Sequence, residues 1–155
     1  MDVLLLSTYE LGRQPFGLAS PAAWLRAAGH QVRALDLSRQ PLEEAEDAVR
    51  AAALICFYLP MHTATRLAMS VIPRVRALSP TAQLCAYGLY APVNAQLLRK
   101  MGVATILGGE FEEGLVSLTR RLSAEGPGPQ VEPEISLARQ QFRSEERRVG
   151  KECRL

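Results

Sequence analysis

A doubly wound α/β fold around a five-stranded parallel sheet is the architecture this sequence predicts, and three observations predict it. Five short apolar runs recur along the chain, spaced to leave room for one helix after each. Turn residues and then a segment of helical periodicity follow every run. The connections are short, as they are when each strand hands over to a helix that packs back on the sheet.

Asp2–Ser7 (DVLLLS) is continuously apolar, the pattern of a strand buried on both faces. A loop with Gly12, Pro15 and Gly17 runs to Ser20, and Ser20-Pro21 reads as an N-cap with proline in the first helical turn. The helix AAWLRAAG then stops at Gly29, with Trp24 expected between helix and sheet. Gln31–Leu37 is the second strand. Pro41 and the acidic Glu43, Glu44, Glu46 and Asp47 open a second helix, since acids in a first turn complement the helix dipole. Leu54–Leu59 (LICFYL) is the most apolar strand and so the expected centre. A third helix spans about His62 to Leu78, with a kink expected near Pro73. Gln83–Tyr87 and Ala104–Leu107 are strands four and five, with a helix over Val93–Met101 between them. A final helix runs to about Ser123.

The 155 residues suit one domain, and 48% hydrophobic content is enough for a core. Residues 1–142 carry 13 basic and 13 acidic residues, so the net +2 comes from 143–155 and leaves no basic footprint for nucleic acid. Met1-Asp2-Val3 lacks a basic leader region, and VLLL is too short to span a membrane. Cys56 and Cys85 lie in apolar strands as small core residues, and no cysteine–histidine spacing suits zinc. The expected compartment is a reducing cytoplasm.

Ligands of such sheets bind beyond the carboxyl ends of the strands. The loop after the first strand lacks G-x-G-x-x-G, which excludes a dinucleotide site. A phosphate-cradling loop and a G-x-S-x-G elbow are also missing. Ser7, Thr8 and Pro60 stand where a phospho-accepting receiver needs acids. Two features are positive. Tyr58–Thr63, with Pro60, Met61, His62 and Thr63, and Tyr87–Pro92, with Gly88, Leu89 and Tyr90, present aromatic and apolar groups suited to a large, flat, mostly uncharged ligand. Gly108 and Gly109 remove side chains where a ligand could run against backbone, with Glu110 beside them. Tyr9 and Gly12 complete the candidate set. His62 reads either as a metal ligand or as a solvated helix N-terminal residue; the other histidine, His30, reads as structural.

The segments ELGRQPFGLASPAAWLRAAGHQVRALDL and GVATILGGEFEEGL resemble the opening and finish of cobalamin (B12)-binding domains that precede radical S-adenosylmethionine (SAM) enzymes. STYELGRQPFGLASPAAWLR, FYLPMHTATRLA and CAYGLYAP narrow the likeness to a family marked by Cys-Ala-Glu-Pro-like tails. The resemblance covers residues 1–123. It implies a Rossmann-like or flavodoxin-like domain of cobalamin-binding type holding a base-off corrinoid. The corrin ring would rest on the Pro60–Thr63 and Gly88–Ala91 loops, and its nucleotide tail would pass Gly108-Gly109 beside the sheet. The D-x-H-x-x-G motif of such domains is replaced by Ser7-Thr8-Tyr9-Glu10-Leu11-Gly12, so the cobalt would be His-off. The [4Fe-4S] cluster and SAM would belong to a downstream barrel, for which no C-x-x-x-C-x-x-C is present.

Residues 124–142, rich in proline and glycine, read as a linker towards that barrel. Residues 143–155 (RSEERRVGKECRL) resemble a translated sequencing adapter. Two alternatives stay open: a degenerate docking domain of the same protein, and a free-standing flavodoxin-like protein binding a nucleotide or flavin.

Overall fold

The computed structural model describes residues 1–126 and the backbone of Glu134–Ser136. All five expected strands form: β1 (Asp2–Ser7), β2 (Gln31–Asp36), β3 (Leu54–Tyr58), β4 (Gln83–Tyr87) and β5 (Thr105–Gly109). Helices α1 (Phe16–Ala27), α2 (Glu46–Ala51), α3 (His62–Leu78), α4 (Ala95–Lys100) and α5 (Glu112–Glu125) alternate with them. The pairings are parallel throughout, in the order β2-β1-β3-β4-β5. This is the doubly wound α/β sheet that the alternation of apolar runs and helical segments predicts.

Alternate residues of each strand feed two cores. Leu4, Leu6, Ile55, Phe57, Leu84 and Ile106 pack against the α2, α3 and α4 side. Val3, Leu5, Leu54, Cys56, Cys85, Tyr87 and Leu107 pack under α1 and α5. Burying a large apolar side chain is worth about 1.5–3 kcal/mol, so each layer holds its helices firmly. Cys56 and Cys85 face each other across β3 and β4 as buried free thiols. Burial and the neighbouring Cys85 push the Cys56 thiol well up, which keeps it protonated.

Three expectations are corrected. Helix α1 starts at Phe16, so Pro21 is an interior residue and Ser20 is not its cap. An interior proline cannot donate to the carbonyl four residues back, here that of Gly17. Tyr87 supplies the missing donor: its phenol hydroxyl donates to Gly17 O at 2.7 Å, within the core. Trp24 lies off the buried stripe of Leu18, Pro21, Ala22 and Leu25 and is 48% exposed, not wedged against the sheet. Helix α3 spans His62 to Leu78 as expected, with Pro73 inside it. Lastly, Gly108 and Gly109 belong to β5, where they pair with a short sixth strand, β6 (Glu134–Ser136). That strand falls inside the expected linker; it forms because the outer edge of β5 offers unpaired backbone groups. The rest of the linker beyond Gly126, and the tail 143–155, lie outside the described residues.

The proline–tyrosine exchange gives a double-mutant test. Tyr87→Phe leaves a buried carbonyl without a donor and should cost about 1–3 kcal/mol in urea unfolding. In a Pro21→Ala background the alanine N–H can serve Gly17 O, so the same Tyr87→Phe change should cost clearly less. Equal costs in both backgrounds would remove the exchange from the account.

Candidate functional site

All five strands of the sheet point their carboxyl ends at one edge, and the chain reverses its winding between β1 and β3. In sheets of this kind the ligand crevice opens at that reversal. Here Thr8, directly after β1, donates its hydroxyl to Ala64 O of α3 at 2.7 Å, which ties the two sides of the crevice together. The turn Glu10–Arg13, closed by Arg13 N–H to Glu10 O, has positive φ at both Leu11 and Gly12. A leucine in that conformation costs about 1–2 kcal/mol. Leu11 is nonetheless turned out to solvent, 65% exposed.

Three aromatic rings close the adjoining space between the sheet and α1 and α5. Tyr58 ends β3, Tyr87 ends β4 and Phe111 precedes α5. Their centroids lie 4.8 Å (Tyr87–Phe111), 5.4 Å (Tyr58–Tyr87) and 5.9 Å (Tyr58–Phe111) apart, in tilted and edge-on contacts. Gly17 presses directly on Tyr58, so that any side chain there would fall inside the ring. Ser20 of α1 donates its hydroxyl to Glu112 of α5 at 2.7 Å, joining the helices above the cluster. Burial raises the Tyr87 phenol well above its ordinary range and raises Tyr58 as well. Both therefore stay neutral donors.

The residues singled out by sequence divide into two groups. Gly88 and Gly108 are small for the sake of packing. Gly88 has φ +105°, and a Cβ there would come 2.9 Å from Leu59 O; at Gly108 it would come 2.5 Å from Pro92 Cγ. Pro60 and Met61 are half-buried at the entry to α3, and Thr65 donates its hydroxyl to Met61 O rather than meeting His62. His62, Thr63, Leu89, Gly109 and Glu110 are exposed, and Tyr90 is half-buried. Tyr9 and Gly12 line a separate open hollow of about 400 Å³ with Ser38 and Arg39, beside β2. The loops after β3 and β4 thus stand at one edge, with Tyr9 and Gly12 set to its side.

Sequence reasoning named Leu89 and the apolar character of the loops after β3 and β4, but missed Leu11, Phe16 and Val93. Besides Leu11, the apolar rim of this edge carries Phe16, Leu89 and Val93, exposed at 75%, 72% and 80%. Phe16 adjoins Gly17 in sequence, and Leu89 follows Tyr87 by two residues. The signal was in the sequence: Phe16 and Val93 each sit at a helix entry where a polar residue is usual. Among the described residues, no group of three or more histidine, cysteine or acidic side chains could hold a metal ion. No helix among them is long and apolar enough to cross a membrane.

No protein-family model and no curated protein matches the chain. Two solved structures share the fold. A pilus assembly-related protein from Burkholderia pseudomallei superposes with a TM-score of 0.61 at 17% identity, over 83% of this chain and 94% of that one. A response regulator from the same organism, solved with a phosphorylated aspartic acid, calcium and citrate, superposes with a TM-score of 0.54 at 20% identity, over 81% of this chain and 74% of that one. Both show a flavodoxin-like or response-regulator-type α/β fold. In this chain, Tyr58 ends β3, Ser7 ends β1 and Thr8 follows it, with no aspartate at any of these three positions.

Glu10, in the turn beside the crevice, has its Oε2 buried without a hydrogen-bond partner. Desolvation, with Asp36 nearby, raises its pKa. The folded chain therefore holds this proton more tightly than the unfolded chain, and a penalty grows as pH rises through the raised pKa. Glu10→Gln should raise Tm at pH 7.5 and leave it unchanged near pH 3. A lower Tm at pH 7.5 would show that the Glu10 carboxylate stabilises the turn.

Proposed function

We propose that this chain carries the corrinoid-binding module of a larger radical SAM enzyme. The corrin ring would be seated on the Pro60–Thr63 and Gly88–Ala91 loops, and cobalt would have no histidine from the loop after β1. One observation carries the reading: the exposed apolar rim of Leu11, Phe16, Leu89 and Val93 stands on the edge where such sheets hold ligands. Solvent-exposed leucine, phenylalanine and valine at one edge suit a broad uncharged face, which a corrin ring offers. The family resemblance supplies the ligand class, and the fold is compatible with it.

The residues fit the ring better than the tail. Leu89 and Val93 offer apolar contact, half-buried Tyr90 a flat face, and exposed Glu110 an acceptor for a ring amide. The path past Gly108 is filled by Pro92, and the space beside the sheet by Tyr58, Tyr87 and Phe111. When bound, cobalamin supplies a cobalt centre able to carry a methyl group or support radical chemistry. The [4Fe-4S] cluster and SAM belong to the downstream barrel. In this reading the described residues hold and orient the ring and exclude water from one face of it; they are not catalytic.

The filled tail space favours a second reading, in which the module has lost its cofactor and serves to dock the barrel. Titration of the full 155-residue chain with hydroxocobalamin separates the two. The first reading expects a spectral shift, cobalt retained through gel filtration, and binding weakened at least tenfold by Leu89→Glu. An unshifted spectrum with cobalt-free protein favours docking alone. A nucleotide- or flavin-binding role has less support, because no glycine-rich phosphate loop follows β1.

A further inference from the structure

Resting on the corrinoid reading, we infer that this site holds its corrinoid through the ring alone, with the nucleotide tail outside the fold. Cobinamide, a corrinoid lacking the nucleotide, is therefore taken as well as cobalamin. The observation behind this is the mismatch between a tail lying beside the sheet and the space the chain leaves for it.

A tail beside the sheet needs a channel between the strand ends and the helices α1 and α5. That volume is occupied by Tyr58, Tyr87 and Phe111, each in contact with the other two. Side chains of this size could swing aside if the helices were free to move, but three contacts hold them. Tyr87 binds Gly17 O of α1, and Gly17 has no clearance from the Tyr58 ring. Ser20 of α1 binds Glu112 of α5. The route through Gly108, which its lack of a side chain suggests, is taken by Pro92. Opening the channel would orphan a buried carbonyl that Pro21 prevents the helix from satisfying.

The apolar rim needs no such opening. Phe16 and Leu89 are exposed at 75% and 72%, so a ring can rest on the loops at the strand ends while the cluster stays closed.

The test compares hydroxocobalamin with aquohydroxocobinamide on the full chain, following absorbance. Dissociation constants within threefold of each other are the expected result. Cobalamin binding at least tenfold tighter than cobinamide would overturn the inference while leaving the corrinoid reading intact. Binding of neither would overturn the corrinoid reading, and the inference with it. Phe111→Ala, which hollows the cluster from its half-buried member, should shift preference towards cobalamin at least threefold. An unchanged ratio in that variant, with circular dichroism of the folded chain, would also count against the aromatic block.

Discussion

A tyrosine hydroxyl at the end of β4 and a carbonyl in the first turn of α1 form the hydrogen bond on which the functional edge depends. Pro21 creates the need for it by removing the helical donor, and Tyr87 meets the need from 66 residues further along the chain. The consequence reaches beyond one bond. It draws α1 down so that Gly17 touches Tyr58, which sets the ring against Tyr87 and Phe111. A serine or alanine at position 17 would not fit, and a helix with an alanine in place of Pro21 would not require Tyr87. The glycine in the first turn of α1 thus answers to the Tyr58 ring, and the proline in its interior to the Tyr87 hydroxyl.

The same bond shapes what the edge can offer. With the space beside the sheet filled by aromatic rings, the loops at the strand ends expose Leu11, Phe16, Leu89 and Val93 together with His62 and Glu110. Phospho-acceptor chemistry has no aspartate at Ser7, Thr8 or Tyr58, and the described residues bring together no metal-binding cluster. The solved structures with this fold include a pilus assembly-related protein and a response regulator, and the likeness to them is one of fold. On the proposed reading, this edge meets a flat, uncharged face, that of a corrin ring.

The strands were legible because a parallel sheet covered on both faces demands continuous apolar runs, and LICFYL or VLLL admits few other readings. The loops that matter followed from topology once the strands were known. The start of α1 was not legible: proline ordinarily marks a first turn, and only a donor distant in sequence makes an interior one tolerable. Sequence could not say whether Gly88 and Gly108 made room for a ligand or for Leu59 and Pro92, since that depends on packing between segments far apart in the chain. Strand β6 was hidden because three residues pairing through backbone alone leave little pattern in side chains.

The most direct test of the central interaction is proton NMR of the tyrosine hydroxyls in water. The account predicts one phenolic proton protected from exchange, assigned to Tyr87 by its absence in Tyr87→Phe, with contacts to the Gly17 α-protons. Rapid hydroxyl exchange for all four tyrosines, without contact between Tyr87 and Gly17, would contradict it. The aromatic cluster would then have nothing holding it shut.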